Sequence, residues 1–390
     1  MTPQYLVRCF FGFAELPPAY GSLLEGEIAR QGFFREPQWF EYLLRHYFAS
    51  GDELRLYGLE DAATGRPLLL APLRHSQADY AVRGGQVLGS LSHPENYATA
   101  ALIFDPAVHD YRPLLGALFK RLREAGSMES GHRPDAIRIW PFDRHAALGH
   151  ALLAALCEAG YVVQTYENSF NRFEDTAGLD YATYFARRSA NMRYNVRRRQ
   201  RALEKQGRLE MRLITEPEDL AAAIPDYIAV SRASWKSPAS MYSLETLGLI
   251  QLCAAKGCLR LGILRIDGVA AATQFWILSG GTAHCARLAY DEGYKKLAVG
   301  VVLTNFMIAH LLDRDHVGRL DYGYGRDEYK RGWMKDAREY FGIIAFNPST
   351  WRGRAYGLRH VQGRRLKRAV KGVLERLGWK RPATGDDEVA

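Results

Sequence analysis

The chain has 390 residues, of which 47% are hydrophobic and 24% are charged, and its five cysteines include no Cys-x-x-Cys pair. These values argue against a disordered chain, a disulfide scaffold and a cysteine-rich zinc site, and they favour two domains in a reducing, cytoplasmic environment. Residues 1–18 make a poor signal peptide, and the longest apolar stretch, residues 297–312, is shorter than a membrane span.

Positive charge is concentrated in two segments. Lys and Arg total 52 against 43 Asp and Glu, which gives a net charge of +9. Residues 187–212 contain ten basic and two acidic side chains, and residues 352–381 contain eleven basic and one acidic. Such segments attract polyanions, whether nucleic acid, acidic lipid or a phosphorylated cofactor. The alternative is that each segment is a solvated helix face.

The first half of the chain has the periodicities of a mixed α/β domain. Helices are predicted at 33–48, 111–125 and 148–159, the last of which ends at Gly160. Strands are predicted at 54–59, 67–74, 84–91, 98–104, 136–140 and 161–166. Residues 167–180 are polar and irregular, so the domain boundary is placed there.

The second half repeats this order of elements. Helices are predicted at 181–206, 220–234, 244–256 and 300–313. Strands are predicted at 259–266, 269–278, 282–290, 319–322 and 339–346, and Asp267 with Gly268 forms a two-residue hairpin turn. The repetition predicts duplication of one α/β unit, with domains over 1–170 and 171–350 and a basic tail over 351–390.

A basic loop leads from the third strand of the second half into a helix. Lys295 and Lys296 lie in this loop, and Gly300 lies at the helix N-terminus. A helix N-terminus has unpaired backbone N–H groups and a positive partial charge, which together suit a pyrophosphate. A small residue there lets the backbone approach the phosphates. The alternative is a plain connection in which the glycine relieves a turn.

A second motif follows the next predicted strand. It reads Asp321, Tyr322, Gly323, Tyr324 and Gly325, followed by Tyr329 and Lys330. Sheets of α/β proteins hold ligands at the carboxyl ends of their strands, so the motif predicts a functional site. The alternatives are that Asp321 caps the loop or locks it by pairing with Lys330, and that Tyr329 is a core ring.

These motifs resemble the FemAB-like branch of the GNAT acyltransferase superfamily, in particular the acetyltransferase domain of CelD-type cellulose and exopolysaccharide biosynthesis proteins. The matching motif residues are Tyr290, Asp291, Gly300, Asp321, Gly323, Gly325, Tyr329 and Lys330. The arginine-rich helix 189–201, the triplet 234–236 and the strand 270–276 with Gln274 also resemble it, and the similarity covers residues 181–345. Val299 replaces the usual proline before the helix glycine, and the usual acetyl-CoA loop is reduced to residues 296–300.

The resemblance implies an α+β fold of two tandem GNAT domains, with mixed sheets flanked by helices and a degenerate first domain. It implies acyl-CoA, in the first place acetyl-CoA, as co-substrate and no metal. The expected donor-binding residues are Arg287, Tyr290, Lys295, Lys296, Val299 and Gly300. The expected acceptor-binding residues are Trp235, Lys236, Gln274, Gly323, Gly325, Asn96 and Tyr97, the last two in a polar cluster with His93.

The resemblance also suggests catalytic roles. Backbone N–H groups of residues 287–290 polarise the thioester carbonyl. Asp321 accepts a proton or orients the amine, Tyr329 protonates the leaving thiolate, and Lys330 holds a phosphate or the oxyanion.

The function expected from this resemblance is transfer of an acyl group from acyl-CoA to an amine of a sugar or of a cell-envelope or exopolysaccharide precursor. The acceptor is a small molecule or is lipid-linked. One alternative uses aminoacyl-tRNA as the donor, as peptidoglycan bridge-forming relatives do, although no sustained heptad run for a coiled-coil arm is present. Another alternative is a non-catalytic protein that binds a polyanion or a membrane surface.

The basic tail has the pattern of an amphipathic helix. Its apolar residues fall at helical spacing: Leu366, Val370, Val373, Leu374 and Leu377. Such a helix suits an anionic membrane surface, which would make residues 352–381 a peripheral anchor on the inner face of the cell membrane. The alternative is that the stripe packs on the core of the protein.

Overall fold

The computed structural model describes residues 4–95, 97–125, 133–143, 145–205, 209–235, 242–325 and 327–360. Two predicted acceptor-binding residues, Asn96 and Lys236, lie outside these ranges, as does the tail beyond residue 360 with most of the predicted membrane-binding helix. Residues 351–360 are helical. None of the helices within the described ranges has the length and hydropathy that crossing a membrane requires.

The first half begins with a strand and two helices. Its helices are α1 (Pro18–Gln31), α2 (Pro37–Tyr47), α3 (Arg112–Ala125) and α4 (Ala147–Glu158). Its strands are β1 (Tyr5–Phe10), β2 (Glu53–Asp61), β3 (Pro67–Ser76), β4 (Val87–Ser90), β5 (Ile103–Phe104), β6 (Ala136–Phe142) and β7 (Val162–Asp175). Both α1 and α2 start at a proline, whose fixed φ suits the first helical turn.

The second half is preceded by two additional helices, α5 (Tyr181–Ala186) and α6 (Ala190–Lys205). Its own helices are α7 (Leu220–Ala233), α8 (Leu244–Ala255), α9 (Val299–Asp313) and α10 (Glu328–Trp333). Its strands are β8 (Leu209–Ile214), β9 (Leu259–Ile266), β10 (Val269–Ser279), β11 (Thr282–Tyr290), β12 (Arg319–Tyr324) and β13 (Asp336–Phe346). The predicted hairpin turn is confirmed, because Asp267 and Gly268 both have positive φ.

The predicted duplication is confirmed by the order of these elements. Each half runs strand, two helices, three strands, helix, strand, helix, strand, and the short β5 is an addition in the first half. In each half a parallel pair of strands, β4 with β6 or β11 with β12, is joined through a helix, α3 or α9.

One mixed sheet of thirteen strands runs through both halves of the described chain. The strand order is β1-β2-β3-β4-β6-β13-β7-β12-β11-β10-β9-β8, and β5 pairs with β3. Helices cover both faces. On β10, Phe275 and Ile277 lie in a core cluster with residues of α7 and α8, whereas Trp276 lies in another with residues of α9.

The last strand of each half is inserted into the other half. β13 lies between β6 and β7, and β7 lies between β13 and β12. The β13–β7 ladder extends from the pair Asp336–Phe173 to the pair Phe346–Val162. Ile343 of β13 is fully buried in the core that α3 and α4 form with the first half of the sheet. Each half therefore depends on the other for a complete sheet.

Three sequence-based expectations require correction. Residues 167–175 are not an irregular linker but continue β7, so the proposed division after residue 170 falls inside a strand. The strand expected at 98–104 is reduced to the two residues of β5. The single helix expected at 181–206 is divided into α5 and α6. Four elements were not expected from the sequence: β1, α1, β8 and α10.

The strand exchange predicts that the two halves unfold together. We expect Ile343→Ala to lower the free energy of unfolding by about 2–5 kcal/mol through the cavity it leaves, and to do so in a single transition. Denaturant unfolding followed by both tryptophan fluorescence and circular dichroism checks this. Val269→Ala, at an exposed position of β10, is the control and should change stability by less than about 0.5 kcal/mol. Two separate transitions would contradict the exchange.

Candidate active site

The two parallel strands of the second half separate part of the way along their length. β11 and β12 pair at three positions, from Thr282–Arg319 to His284–Asp321. Just beyond, a bulge in the β10–β11 register leaves Ala286 without a partner and bends the strand. A cleft of about 470 Å³ opens between the separated strands.

The walls of this cleft come from both halves of the chain. The second half contributes Trp235, residues 285–288 of β11, Tyr322 and Tyr324 of β12, and Asp327, Tyr329 and Lys330 beside or within α10. The first half contributes Pro94, Glu95 and Tyr97, all from the loop after β4.

The corresponding place in the first half is closed. The hydroxyl of Ser90, at the end of β4, donates to the carbonyl oxygen of Trp140 at 2.6 Å and accepts from the Trp140 N–H at 3.0 Å. These bonds join β4 to β6 just beyond their last paired residues, Gly89 and Arg138. Both ladders end after three pairs, but Ser90 bridges the strands at the end of the β4–β6 ladder, whereas the cleft lies beyond the end of the β11–β12 ladder.

A charged cluster connects the two halves at the cleft. The Arg287 guanidinium contacts the Glu95 carboxylate and donates to the Tyr97 hydroxyl at 2.6 Å. The Tyr97 hydroxyl in turn donates to Glu95 at 2.8 Å. Burial, opposed by the charge of Arg287, raises the pKa of Tyr97 well above its usual value, so the phenol stays protonated. Arg287, expected to bind the donor, lines the cleft, and its guanidinium contacts Glu95 and Tyr97.

A buried histidine supports the loop that carries Glu95. His93 Nδ1 accepts the Glu95 backbone N–H at 3.1 Å, and its ring stacks on that of Tyr97 with centroids 4.3 Å apart. Burial, followed by the charge of Arg287, lowers the pKa of His93 well below its usual value, so the ring is neutral. His93 and Tyr97 belong to the polar cluster predicted from the sequence, whereas Glu95, which lies between them, was not among the predicted residues.

Asp321 is not at the surface of the cleft. Its carboxylate is 1% exposed, accepts the Gly323 N–H at 2.8 Å and contacts the guanidinium of Arg338 on β13. The alternative in which Asp321 locks the loop by pairing with Lys330 is wrong, because Asp321 pairs with Arg338 and Lys330 pairs with Asp327. The geometry gives Asp321 a positioning role: it holds the turn that ends the β11–β12 pairing.

The two glycines of the motif adopt conformations that other residues rarely adopt. Gly323 has a φ of +70°, and Gly325 has a φ of +118°. A Cβ on Gly325 would lie 2.8 Å from a carboxylate oxygen of Asp327 and 3.1 Å from Nζ of Lys330. The glycines shape the wall of the cleft through the backbone, while the residues around them supply its polar groups.

Tyr329 and Lys330 both reach the cleft, as predicted. Tyr329 packs edge-on against Tyr322 with ring centroids 6.0 Å apart. Desolvation of its phenol, then the neighbouring Cys285 and Asp327, raises the pKa of Tyr329 above its usual value, although 46% of the residue is exposed. Lys330 is buried, pairs with Asp327 at 3.1 Å and donates to the Tyr324 carbonyl oxygen. The cleft therefore contains a protonated phenol beside a held ammonium group.

The predicted anion site lies at the start of α9. Residues 292–297 form a 3-10 turn, and Ala298, with a φ of 55°, connects it to the helix. Within the described chain, the N–H groups of Val299 and Gly300 have no hydrogen-bond acceptor. A Cβ on Gly300 would lie 3.3 Å from the ring of Tyr290, so this glycine accommodates a packed aromatic side chain.

The basic side chains of this loop are available to solvent. Lys295 is 61% exposed and lies 3.6 Å from Glu292, and Lys296 is exposed. The expectation of a basic loop before a helix N-terminus thus corresponds to an exposed, positively charged turn.

Two expected acceptor-binding residues occupy very different places. Trp235 is 66% exposed and lines the cleft. The prediction that Gln274 binds the acceptor in the cleft is wrong, because this side chain is fully buried. Its amide N–H₂ donates to Thr304, and its oxygen accepts from Trp276 at 3.1 Å. A polar residue in the middle of a strand has the same sequence signature whether it binds a ligand or anchors a helix.

Among the described residues, no group of three His, Cys, Asp or Glu side chains is arranged to hold a metal ion.

The chain is similar to a known protein family and to several solved structures. Residues 190–331 match a family model described as an acetyltransferase (GNAT) domain. The crystal structure of FemX is 10% identical, aligns over 75% of this chain and 88% of its own, and gives a TM-score of 0.52. A tandem GNAT protein from the clavulanic acid biosynthesis pathway is 12% identical, aligns over 87% of this chain and 98% of its own, and gives a TM-score of 0.49. A conserved protein from Bacteroides thetaiotaomicron is 10% identical, aligns over 79% of this chain and 89% of its own, and gives a TM-score of 0.49. None of the curated proteins compared matches the sequence.

The chain has the GNAT fold, with α+β content and a mixed sheet flanked by helices. The segment 190–331, which matches the GNAT acetyltransferase model, includes all the second-half residues that line the cleft. The protein is accordingly an acyltransferase enzyme.

The buried histidine at the last β11–β12 pair predicts a loss of stability in acid. Burial lowers the pKa of His284 from 6.5 to about 4, against the opposing charge of Asp321. Between these pH values the unfolded chain binds a proton that the folded protein rejects, so stability falls as the pH drops from 6.5 to 4, by about 3 kcal/mol.

Denaturant unfolding across this pH range should show the loss, and His284→Gln should reduce it. His93 contributes pH dependence of the same sign, which the variant retains. An unchanged pH dependence in the folded variant would show that His284 does not titrate in this way.

Proposed function

We propose that the protein is an acyl-CoA-dependent N-acyltransferase whose active site is the cleft between β11 and β12. The observation that carries the proposal is the separation of these strands beyond the His284–Asp321 pair, inside the segment that matches the GNAT domain. Strand edges without partners present backbone N–H and C=O groups, which suit the amides of an extended donor such as the pantetheine arm of CoA.

The donor phosphates are proposed to bind at the start of α9. The free N–H groups of Val299 and Gly300, together with Lys295 and Lys296, supply hydrogen bonds and positive charge for a pyrophosphate. Tyr290 packs against the first turn and supports its position. Acetyl-CoA is the proposed donor, on the strength of the family resemblance of these motifs.

In the proposed reaction a neutral amine attacks the thioester carbonyl carbon, and the tetrahedral intermediate expels the CoA thiolate. Backbone N–H groups of β11 beyond Ala286 stabilise the oxyanion. Tyr329, protonated because of its raised pKa, gives its proton to the thiolate, and solvent restores it. Holding both reactants in one cleft supplies much of the rate enhancement.

Glu95 is proposed to bind the acceptor amine and take the proton that the nitrogen loses. It is a cleft carboxylate that is 36% exposed, and Arg287 and Tyr97 hold it in place. Asp321, expected to have this role, is buried with both oxygens engaged. The backbone at Gly323 and the side chain of Trp235 would complete the acceptor site.

The proposed acceptor is an amine of a sugar or of a cell-envelope or exopolysaccharide precursor, either small or lipid-linked. The resemblance of the Tyr290–Lys330 motifs to CelD-type domains supports this choice. The proposed place of action is the cytoplasm or the inner face of the cell membrane.

The first domain is proposed to be inactive, and the Ser90–Trp140 bonds that bridge its parallel strands support this. Thermal unfolding distinguishes the proposed acyl-CoA donor from the aminoacyl-tRNA alternative: acetyl-CoA should raise the unfolding temperature under the first, and tRNA should raise it under the second.

The donor site makes a prediction about charge. We expect Lys296→Glu to weaken acetyl-CoA binding about tenfold, because it replaces a cation beside the pyrophosphate by an anion. Isothermal titration calorimetry measures the affinity. Lys120→Glu, an equal charge change at an exposed position of α3, should leave it unchanged. Equal affinities in all three proteins would remove the α9 start from the donor site.

The catalytic assignment makes a second prediction. With an acceptor identified by mass shift in an amine panel, Tyr329→Phe should lower kcat about 100-fold with little change in the donor KM. Glu95→Gln should also lower kcat, because a glutamine amide cannot take the proton that the amine nitrogen loses. Tyr80→Phe, which removes an exposed hydroxyl from the first half, is the control. Wild-type kcat in Tyr329→Phe would exclude it as the acid.

A further inference from the structure

A second cavity, of about 350 Å³, lies beside α9 and shares no lining residue with the cleft. It is bounded by α5, α6, α9 and the edge strand β8. Its apolar walls are formed by Phe185, Val196, Met211, Val302, Phe306 and Ala309. This volume and this mainly apolar lining are typical of pockets that hold small ligands.

One cation of this cavity, Arg197, has no carboxylate partner among the residues that the structure describes. The Tyr181 hydroxyl donates to Asn305, and the Asn305 amide donates to Gln200 at 3.3 Å, so these three groups satisfy one another. Arg197 instead lies over the ring of Phe185 at 5.5 Å, and no carboxylate of the described chain is within ion-pair distance of it. The apolar cavity therefore has an uncompensated positive charge in its wall.

Arg197 also lines a groove on the outer side of α6. This groove, of about 630 Å³, includes the cations Arg193, Arg197, Arg198, Arg201 and Lys205. The one acidic residue of α6 is Glu204, which accepts the Gln200 amide N–H at 2.9 Å. Neither Arg198 nor Arg201 has an ion pair with another described residue. The apolar cavity and the cationic groove are thus neighbours, and Arg197 lines both of them.

We propose that this composite site binds a phosphorylated lipid, with its apolar chain in the cavity and its phosphate on Arg197 and the neighbouring arginines of α6. A neutral lipid would leave the arginines unused, and an inorganic phosphate or a nucleic acid would leave the cavity unused. Arginine suits a phosphate because its planar fork donates two parallel hydrogen bonds. The site lies outside the proposed active cleft and does not depend on the reaction proposed there.

The test measures binding of n-decyl phosphate, below its critical micelle concentration, to the full-length protein by calorimetry. Decyl maltoside supplies a chain without a phosphate, and inorganic phosphate supplies the anion without a chain. We expect decyl phosphate to bind at least about tenfold more tightly than either, because it occupies both parts of the site.

Other results would overturn the proposal. Equal binding of inorganic phosphate would show an anion site only, and equal binding of decyl maltoside would show an apolar pocket only. Tighter binding of an RNA oligonucleotide that displaces decyl phosphate would assign the groove to nucleic acid. Absence of saturable binding would show that the site takes no such ligand.

Variants separate the two parts of the site. Arg197→Gln should weaken decyl phosphate binding about tenfold through loss of the phosphate contact. Ala309→Phe should fill the cavity and reduce decyl phosphate to the affinity of inorganic phosphate, while acetyl-CoA binding stays as in the wild type. Arg314→Gln, which removes one charge from the exposed end of α9, is the control and should bind normally. Wild-type affinity in both test variants, with unchanged thermal unfolding, would place the ligand elsewhere.

Discussion

The exchange of β7 and β13 is the constraint on which the rest of the structure depends. β13 pairs with both β6 and β7, so the two halves share one sheet. They cannot move apart without breaking the hydrogen bonds of this eleven-residue strand to its neighbours. This arrangement brings the loop after β4 against β11 and places Glu95 and Tyr97 beside Arg287. The cleft is therefore composite: the second half supplies its separated strands, and the first half supplies a positioned carboxylate.

Separation of β11 from β12 is a local event with a local cause. Asp321 uses its carboxylate to hold the turn at Gly323, and the bulge at Ala286 bends the opposite strand. In the first half, hydrogen bonds between Ser90 and Trp140 tie the corresponding strands together. Two copies of one architecture thus differ in the polar contacts at the end of their parallel pairing.

Charge is used differently in the two sites. In the cleft, Arg287 and Lys330 are buried and paired, so they position other groups and hold the loops. On α6, Arg197 and Arg198 have no carboxylate partner in the described chain, so their charge is available to a ligand. The net charge of +9 alone does not distinguish these roles. Burial and partners do, because a buried ion requires compensation and an exposed one does not.

The sequence by itself determined most of the helices and strands, the hairpin turn at Asp267 and the neighbourhood of the site, because apolar periodicity and turn chemistry are local properties. It also marked Tyr329 as a cleft residue through the motif around it. Only the tertiary structure decided that β13 enters the first half, that Gln274 is buried under α9 and that Glu95 reaches β11. These outcomes depend on pairing between residues far apart in the chain, and side-chain type does not encode the identity of a distant partner.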